Sequence, residues 1–156
     1  MEPVETPCVC TTLRMTTRSV VRLYDRALSA AGLRATGYSI LSRVDAEGPL
    51  TITDLAARLA LDRTTCSREV EALVRTGLLT TETGSDRRRR MVRLSPQGAT
   101  RLADGHAHWE AAQQRINSAF GIENTDDLLS RLRSLLREST QAGLVPPPRA
   151  DRKPRG

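Results

Sequence analysis

The chain has 156 residues, enough for one domain with a proper core or for one domain with appended helices. No run of about 18 apolar residues is present, so no membrane-spanning helix is expected. Basic residues outnumber acidic ones 24 to 18, a net charge of +6, and all but Lys153 are arginine, whose fork bonds phosphate or guanine at two points.

From Thr11 to Ala31 the apolar residues Leu13, Val20, Tyr24, Ala27, Leu28 and Ala31 recur at helical spacing. Arg14, Arg18, Arg22 and Arg26 form a separate, solvated row. Gly32 is the expected stop. A second helix is predicted over about 36–45, with Tyr38, Ile40, Leu41 and Val44 inward, broken by Gly48-Pro49. Leu50-Thr51-Ile52 reads as a short strand. Thr51 with Asp54 makes a shortened capping box, and Thr53 is a rival cap.

The third helix is expected to bury Leu55, Ala56 and Leu59. Asp62 caps a fourth that runs to about Thr76 and closes at Gly77. Helix, short turn, helix at this size is the helix-turn-helix pattern. Leu78 to Thr83 and Arg90 to Leu94 read as a hairpin, with Gly84-Ser85-Asp86 supplying turn chemistry. Ser95-Pro96 starts a long fifth helix to about Phe120, which Gly105 should weaken locally. Asn124 or Thr125 is the expected cap of a sixth helix carrying Leu128, Leu129, Leu132, Leu135 and Leu136. Beyond Gly143 a basic, proline-bearing tail is expected to be disordered.

The fold expected is therefore mainly α with a small β-hairpin wing. A winged-helix core at about 36–95 lies between flanking helices at about 11–31 and 96–142, with an arm at 1–10 and a tail at 143–156. On the fourth helix Cys66, Val70, Leu73 and Val74 form the inward face. Thr64, Thr65, Ser67 and Arg68 are the residues expected to meet base edges, because hydroxyls and a guanidinium match major-groove donors and acceptors. Arg63 and Arg75 are assigned to phosphates. At the hairpin tip Arg87, Arg88, Arg89 and Arg90, with Arg93 behind them and only Asp86 among them, repel one another unless a polyanion neutralises them. They suit a narrow minor groove and its flanking phosphates.

Scarce aromatics (Tyr24, Tyr38, Trp109 and Phe120) argue against single-strand stacking, so the expected partner is double-stranded DNA. No nucleophile triad, phosphate-binding glycine loop or metal motif suggests an enzyme, and no cofactor or metal is expected. An acidic N-terminus without an apolar core, and three cysteines without scaffold spacing, suggest a reducing, cytoplasmic setting. The alternative reading is an architectural protein that binds DNA without sequence preference and has no effector.

The stretch LTITDLAARLALDRTTCSREVEALVRTGLL and the run DRRRRMVRLSPQG closely resemble the MarR family of bacterial winged-helix regulators, over about residues 10–142. That family's wing signature appears here as Asp86-Arg87-Arg88 and Leu94-Ser95-Pro96-Gln97-Gly98. The resemblance implies Arg88 as the side chain inserted into the minor groove, with Asp86 supporting it. It implies a homodimer interleaved through the first, fifth and sixth helices, which would set two recognition helices roughly 34 Å apart on a pseudo-palindrome. It also implies release from DNA by a small aromatic or phenolic ligand, or by an oxidant. Arg14, Arg18, Tyr24, Tyr38 and Trp109 are the candidate pocket residues.

Cys8 and Cys10 precede the first helix. The 14-residue spacing from Cys10 to Tyr24 is similar to that of the peroxide-sensing OhrR branch, although Arg14 and Ala35 stand where that branch has further tyrosines. A thiol at a helix N-terminus with Arg14 a turn away should be acidified, and a second thiol could resolve a sulfenic acid. Cys66, facing inward, is expected to be core.

Overall fold

The structure, a computed structural model, describes residues 8–83 and 90–141. The chain folds as two units, Met1–Ala112 and Gln113–Gly156.

In the first unit α1 (Val9–Leu28) passes into a 3-10 turn (Ser29–Ala31) and stops at Gly32, whose φ of 66° is left-handed. Arg101 makes that stop specific. It donates to the Ala31 carbonyl at 3.0 Å, and a Cβ on Gly32 would lie 2.6 Å from the same guanidinium. The next helix, α2 (Ala35–Glu47), has no cap of its own. Its first amide, Ala35 N–H, donates to Asp25 of α1 at 2.8 Å, a long-range cap that local sequence does not reveal. Tyr38, Ile40, Leu41 and Val44 point into the core as expected.

After β1 (Leu50–Thr51), Thr51 caps α3 (Ile52–Arg58) by accepting from the Asp54 amide at 3.1 Å while donating to the Asp54 carboxylate at 2.7 Å. The acid thus orients the cap hydroxyl rather than reaching back to a backbone amide, and Thr53 is not the cap. The turn that follows is a Schellman closure: Leu61 N–H bonds Ala56 O at 2.9 Å and Ala60 N–H bonds Ala57 O at 3.3 Å. It holds Ala60 at φ 52°, a conformation glycine would adopt without strain. The fourth helix, α4 (Arg63–Arg75), ends in the same closure at Gly77, φ 75°.

The sheet has the order β1-β3-β2 and is antiparallel throughout. Its hairpin, β2 (Leu79–Thr83) with β3 (Arg90–Leu94), pairs Leu79 with Leu94 and Thr81 with Val92. Leu28, Ile40, Leu41, Leu55, Cys66, Val70, Leu79 and Val92 are fully buried in one cluster. Each large aliphatic side chain so buried contributes roughly 1.5–3 kcal/mol.

Ser95 joins sheet to helix. Its hydroxyl accepts from Gly98 N–H at 2.9 Å, capping α5 (Pro96–Phe120), and donates to the Gly77 carbonyl at 2.6 Å. Gly105, expected only to weaken α5, is instead a packing site: a Cβ there would meet Leu33 at 3.0 Å and Tyr38 at 3.3 Å.

In the second unit α5 ends at Gly121, φ 92°, and α6 spans Ile122–Gln141. The expected caps Asn124 and Thr125 lie inside this helix. Gly121 turns the chain early enough for the helix to begin at Ile122, and the two side chains bond back to the Phe120 and Gly121 carbonyls at 2.8 Å each. Leu128, Leu129, Leu135 and Leu136 of the leucine stripe are exposed, as are Phe120 and Ile122.

Candidate nucleic-acid interface

Asp62 fixes where α4 begins. Its carboxylate accepts from the Thr65 amide at 2.8 Å and takes the Thr65 hydroxyl as a second donor. Those bonds, the hydroxyl foremost, hold the Asp62 carboxyl below the usual carboxylate range. Cys66, Val70 and Leu73, at i, i+4 and i+7, anchor the inner face of the helix. Cys66 also donates weakly to the Ile52 carbonyl of α3 at 3.7 Å, and burial raises its thiol above the ordinary range. Core packing therefore sets the rotation of α4 and decides which side chains remain outside.

Those outside are Arg63, Thr64, Thr65, Arg68, Glu71 and Arg75, all exposed, with Ser67 half-buried. The structure divides the four residues predicted to face bases into two pairs. The Thr65 hydroxyl is committed to Asp62, and the Ser67 hydroxyl donates to Glu71 at 3.1 Å. Thr64 and Arg68 make no side-chain hydrogen bond among the described residues.

On the hairpin Arg90 is exposed, while Arg93 donates to Glu82 across the strands at 2.7 Å. That ion pair removes Arg93 from the unbalanced charge of the tip. Asp86, Arg87, Arg88 and Arg89 lie outside the described residues, as does the turn at Gly84-Ser85.

A second feature of the first unit is an open cavity of about 780 Å³ between α2 and α5, walled by Tyr38, Ser42, Arg43, Leu59, His106 and Trp109 among others. Tyr38 and His106 both stack on Trp109, with ring centroids 6.1 and 5.7 Å apart. The Tyr38 hydroxyl and His106 Nδ1 are hydrogen-bonded at 3.0 Å. Burial, and then the charge of Glu110, raises the Tyr38 phenol above its usual range.

Two of the predicted pocket residues, Tyr38 and Trp109, come together here. Tyr24 packs against the core instead, and Arg14 and Arg18 are exposed on α1 and absent from this cavity's lining. Sequence reasoning missed His106 as a wall residue, although its i, i+3 spacing to Trp109 put both on one face of α5. It also missed Arg43, which donates to Glu47 at 2.8 Å; Glu47 in turn accepts from Arg58 of α3. Arg58 first, and Arg43 next, hold the Glu47 carboxyl below its usual range.

Cys8 and Cys10 are exposed at the start of α1, and neither forms a disulfide among the described residues. The Thr11 hydroxyl, followed by the Thr11 backbone, favours the Cys8 thiolate and lowers its pKa. Thr11 is the principal group that acts on Cys8.

A family model described as the MarR family matches residues 31–90. Comparison with curated proteins gives no match. Among solved structures, the Mycobacterium tuberculosis transcriptional regulator MosR in complex with DNA is 29% identical with a TM-score of 0.76, over 88% of this chain and 99% of that one. A probable transcriptional regulator from Pseudomonas aeruginosa is 25% identical with a TM-score of 0.75, over 83% and 97%. The fold is shared as well by Bordetella bronchiseptica BpsR, whose DNA binding is regulated by 6-hydroxynicotinic acid. It is 20% identical with a TM-score of 0.77, over 87% and 99%.

Proposed function

We propose that the chain is a winged helix-turn-helix transcriptional regulator of the MarR type, a dimeric repressor of a pseudo-palindromic operator; the MarR-family match over residues 31–90 and the likeness to DNA-bound MosR support the reading. The carrying observation is the outer face of α4. It is capped by Asp62, rotated into place by Cys66, Val70 and Leu73, and lined with hydroxyls and arginines, and an arginine run follows it in the sequence. Thr64 and Arg68 read bases; Arg63 and Arg75 hold phosphates. The wing residues Arg87, Arg88, Arg89 and Arg90 enter or flank the minor groove, with Asp86 in support. The exposed leucines of α6 supply the dimer contact.

Release follows from one of two inputs. The first is a small aromatic or phenolic acid in the cavity, its ring against Tyr38 and Trp109 and its carboxylate on Arg43. Such an anion competes with Glu47 for Arg43 and so perturbs the link from Glu47 to Arg58 on α3. The second is oxidation of Cys8 by a peroxide, which is reduced to water or an alcohol, to a sulfenic acid; the thiol of Cys10 or of the second subunit then forms a disulfide with loss of water.

Fluorescence anisotropy with the DNA upstream of the gene, beside a scrambled duplex of equal composition, tests the reading. Sequence preference is expected, with loss of binding on adding the effective input: a panel of aromatic acids, or stoichiometric peroxide reversed by dithiothreitol. Arg88→Ala should weaken binding to every duplex and reduce the salt slope by about one phosphate equivalent. A steep salt dependence with no preference for any upstream sequence would instead indicate the architectural alternative.

A further inference from the structure

Glu71 is an acid on a surface otherwise made of arginines and hydroxyls. It is exposed on α4, three residues after Arg68 and four before Arg75, the spacings at which helix ion pairs form. Among the described residues it nonetheless makes no ion pair. Its Oε1 accepts from the Ser67 hydroxyl at 3.1 Å instead. A hydroxyl holds a carboxylate in one orientation without neutralising it, and leaves Oε2 free to accept from another donor.

Resting on the reading that α4 enters the major groove, we infer that Glu71 is a specificity-determining acceptor for a cytosine, with Ser67 as its positioning residue. Only exocyclic amines donate along major-groove edges: cytosine N4 and adenine N6. An ionised carboxylate can only accept, so it is repelled by guanine O6 and N7 and by thymine O4. Adenine presents its own N7 acceptor beside the amine, which leaves cytosine as the base that meets the carboxylate with a donor and no acceptor of its own on that edge. The same charge repels phosphate, so Glu71 lowers affinity for unrelated DNA while adding preference at one base pair. Arg68, a turn away, contributes the complementary preference for guanine.

The test is a set of duplexes in which each base pair of the bound upstream site is replaced in turn, titrated with the full-length wild type, Glu71→Gln and Ser67→Ala. An unrelated duplex is measured at two salt concentrations. Glutamine keeps the size of the side chain but adds donors and removes the charge. The wild type should prefer cytosine at one position per half-site by on the order of tenfold. Glu71→Gln should bring that preference to within about twofold and tighten binding to the unrelated duplex severalfold, most at low salt. Ser67→Ala should erode the same position and no other, an effect that simple loss of helix stability would not produce.

An unchanged base profile for Glu71→Gln overturns the inference, even if non-specific binding tightens, because charge repulsion alone would then explain the effect. A wild type with no sequence preference overturns it together with the operator reading; a wild-type preference that Glu71→Gln leaves intact overturns it alone. Both side chains lie outside the buried core, so unchanged circular dichroism is expected to accompany either result.

Discussion

Gly98→Ala should cost about 3 kcal/mol, because the first turn of α5 rests directly on the backbone at the base of the wing. A Cβ at Gly98 would lie 2.0 Å from the Leu78 carbonyl oxygen, and 2.9 Å from both the Leu78 carbonyl carbon and Leu94 Cδ1. Carbon and carbonyl oxygen touch at about 3.3 Å, so helix and strand must separate by about 1.3 Å. Leu78 cannot yield cheaply. Its N–H donates to Leu73 at 2.9 Å, and its carbonyl accepts from the Ser95 amide at 3.1 Å, a bond that such a separation would break.

Overpacking against backbone belongs at the upper end of the roughly 1–3 kcal/mol range. The lost hydrogen bond adds about 1 kcal/mol. The better helix propensity of alanine returns about 1 kcal/mol. Urea denaturation at fixed protein concentration should show a midpoint lower by about 1.5 M at unchanged slope, taking a slope of about 2 kcal/mol per M.

Gly105→Ala is the internal comparison. Its Cβ would meet Leu33 at 3.0 Å and Tyr38 at 3.3 Å, side-chain atoms that can shift, so its cost should be about 1 kcal/mol or less. Wild-type stability for Gly98→Ala, or equal losses for the two variants, would refute the argument that backbone rather than side-chain contact sets the penalty.

Ala60→Gly should stabilise the turn between α3 and α4 by about 0.5–1 kcal/mol, since relief of the left-handed strain exceeds the extra entropy of unfolded glycine; thermal unfolding reports it, and a fall in Tm would contradict the strain. Alkylation of Cys8 by iodoacetamide should reach half its limiting rate at a lower pH than for the unfolded chain, because a depressed folded pKa populates the thiolate earlier as pH rises. Thr11→Val should move that midpoint upward, and buried Cys66 should react only on unfolding. Trp109 is the sole tryptophan, so titration of an aromatic acid into the cavity should change its emission. Arg43→Ala should weaken that response by about tenfold, and an unchanged midpoint would remove Arg43 from the ligand site.

Local chemistry alone made the region from α3 to the start of α5 legible. Asp62, Thr51 and Ser95 cap the helices they precede, Gly32 and Gly77 end helices in left-handed turns, and the spacing of Cys66, Val70 and Leu73 fixes the outer face of α4. These are interactions between residues three or four apart, and a sequence displays them in order.

Features that depend on distant partners were not legible. The Asp25 cap on α2, the approach of Gly98 to Leu78, the contacts of Tyr38 with His106 and Trp109 and the Glu47–Arg58 link join residues from 10 to 71 positions apart. Even Ala60 carried no turn signal, because the Schellman hydrogen bonds impose its conformation against its own preference. The residue pattern alone dictates which helices form and which face of α4 is polar. Tertiary packing settles which side chains wall the cavity and how closely α5 approaches the Leu78 backbone, because both depend on contacts that exist only once the elements meet.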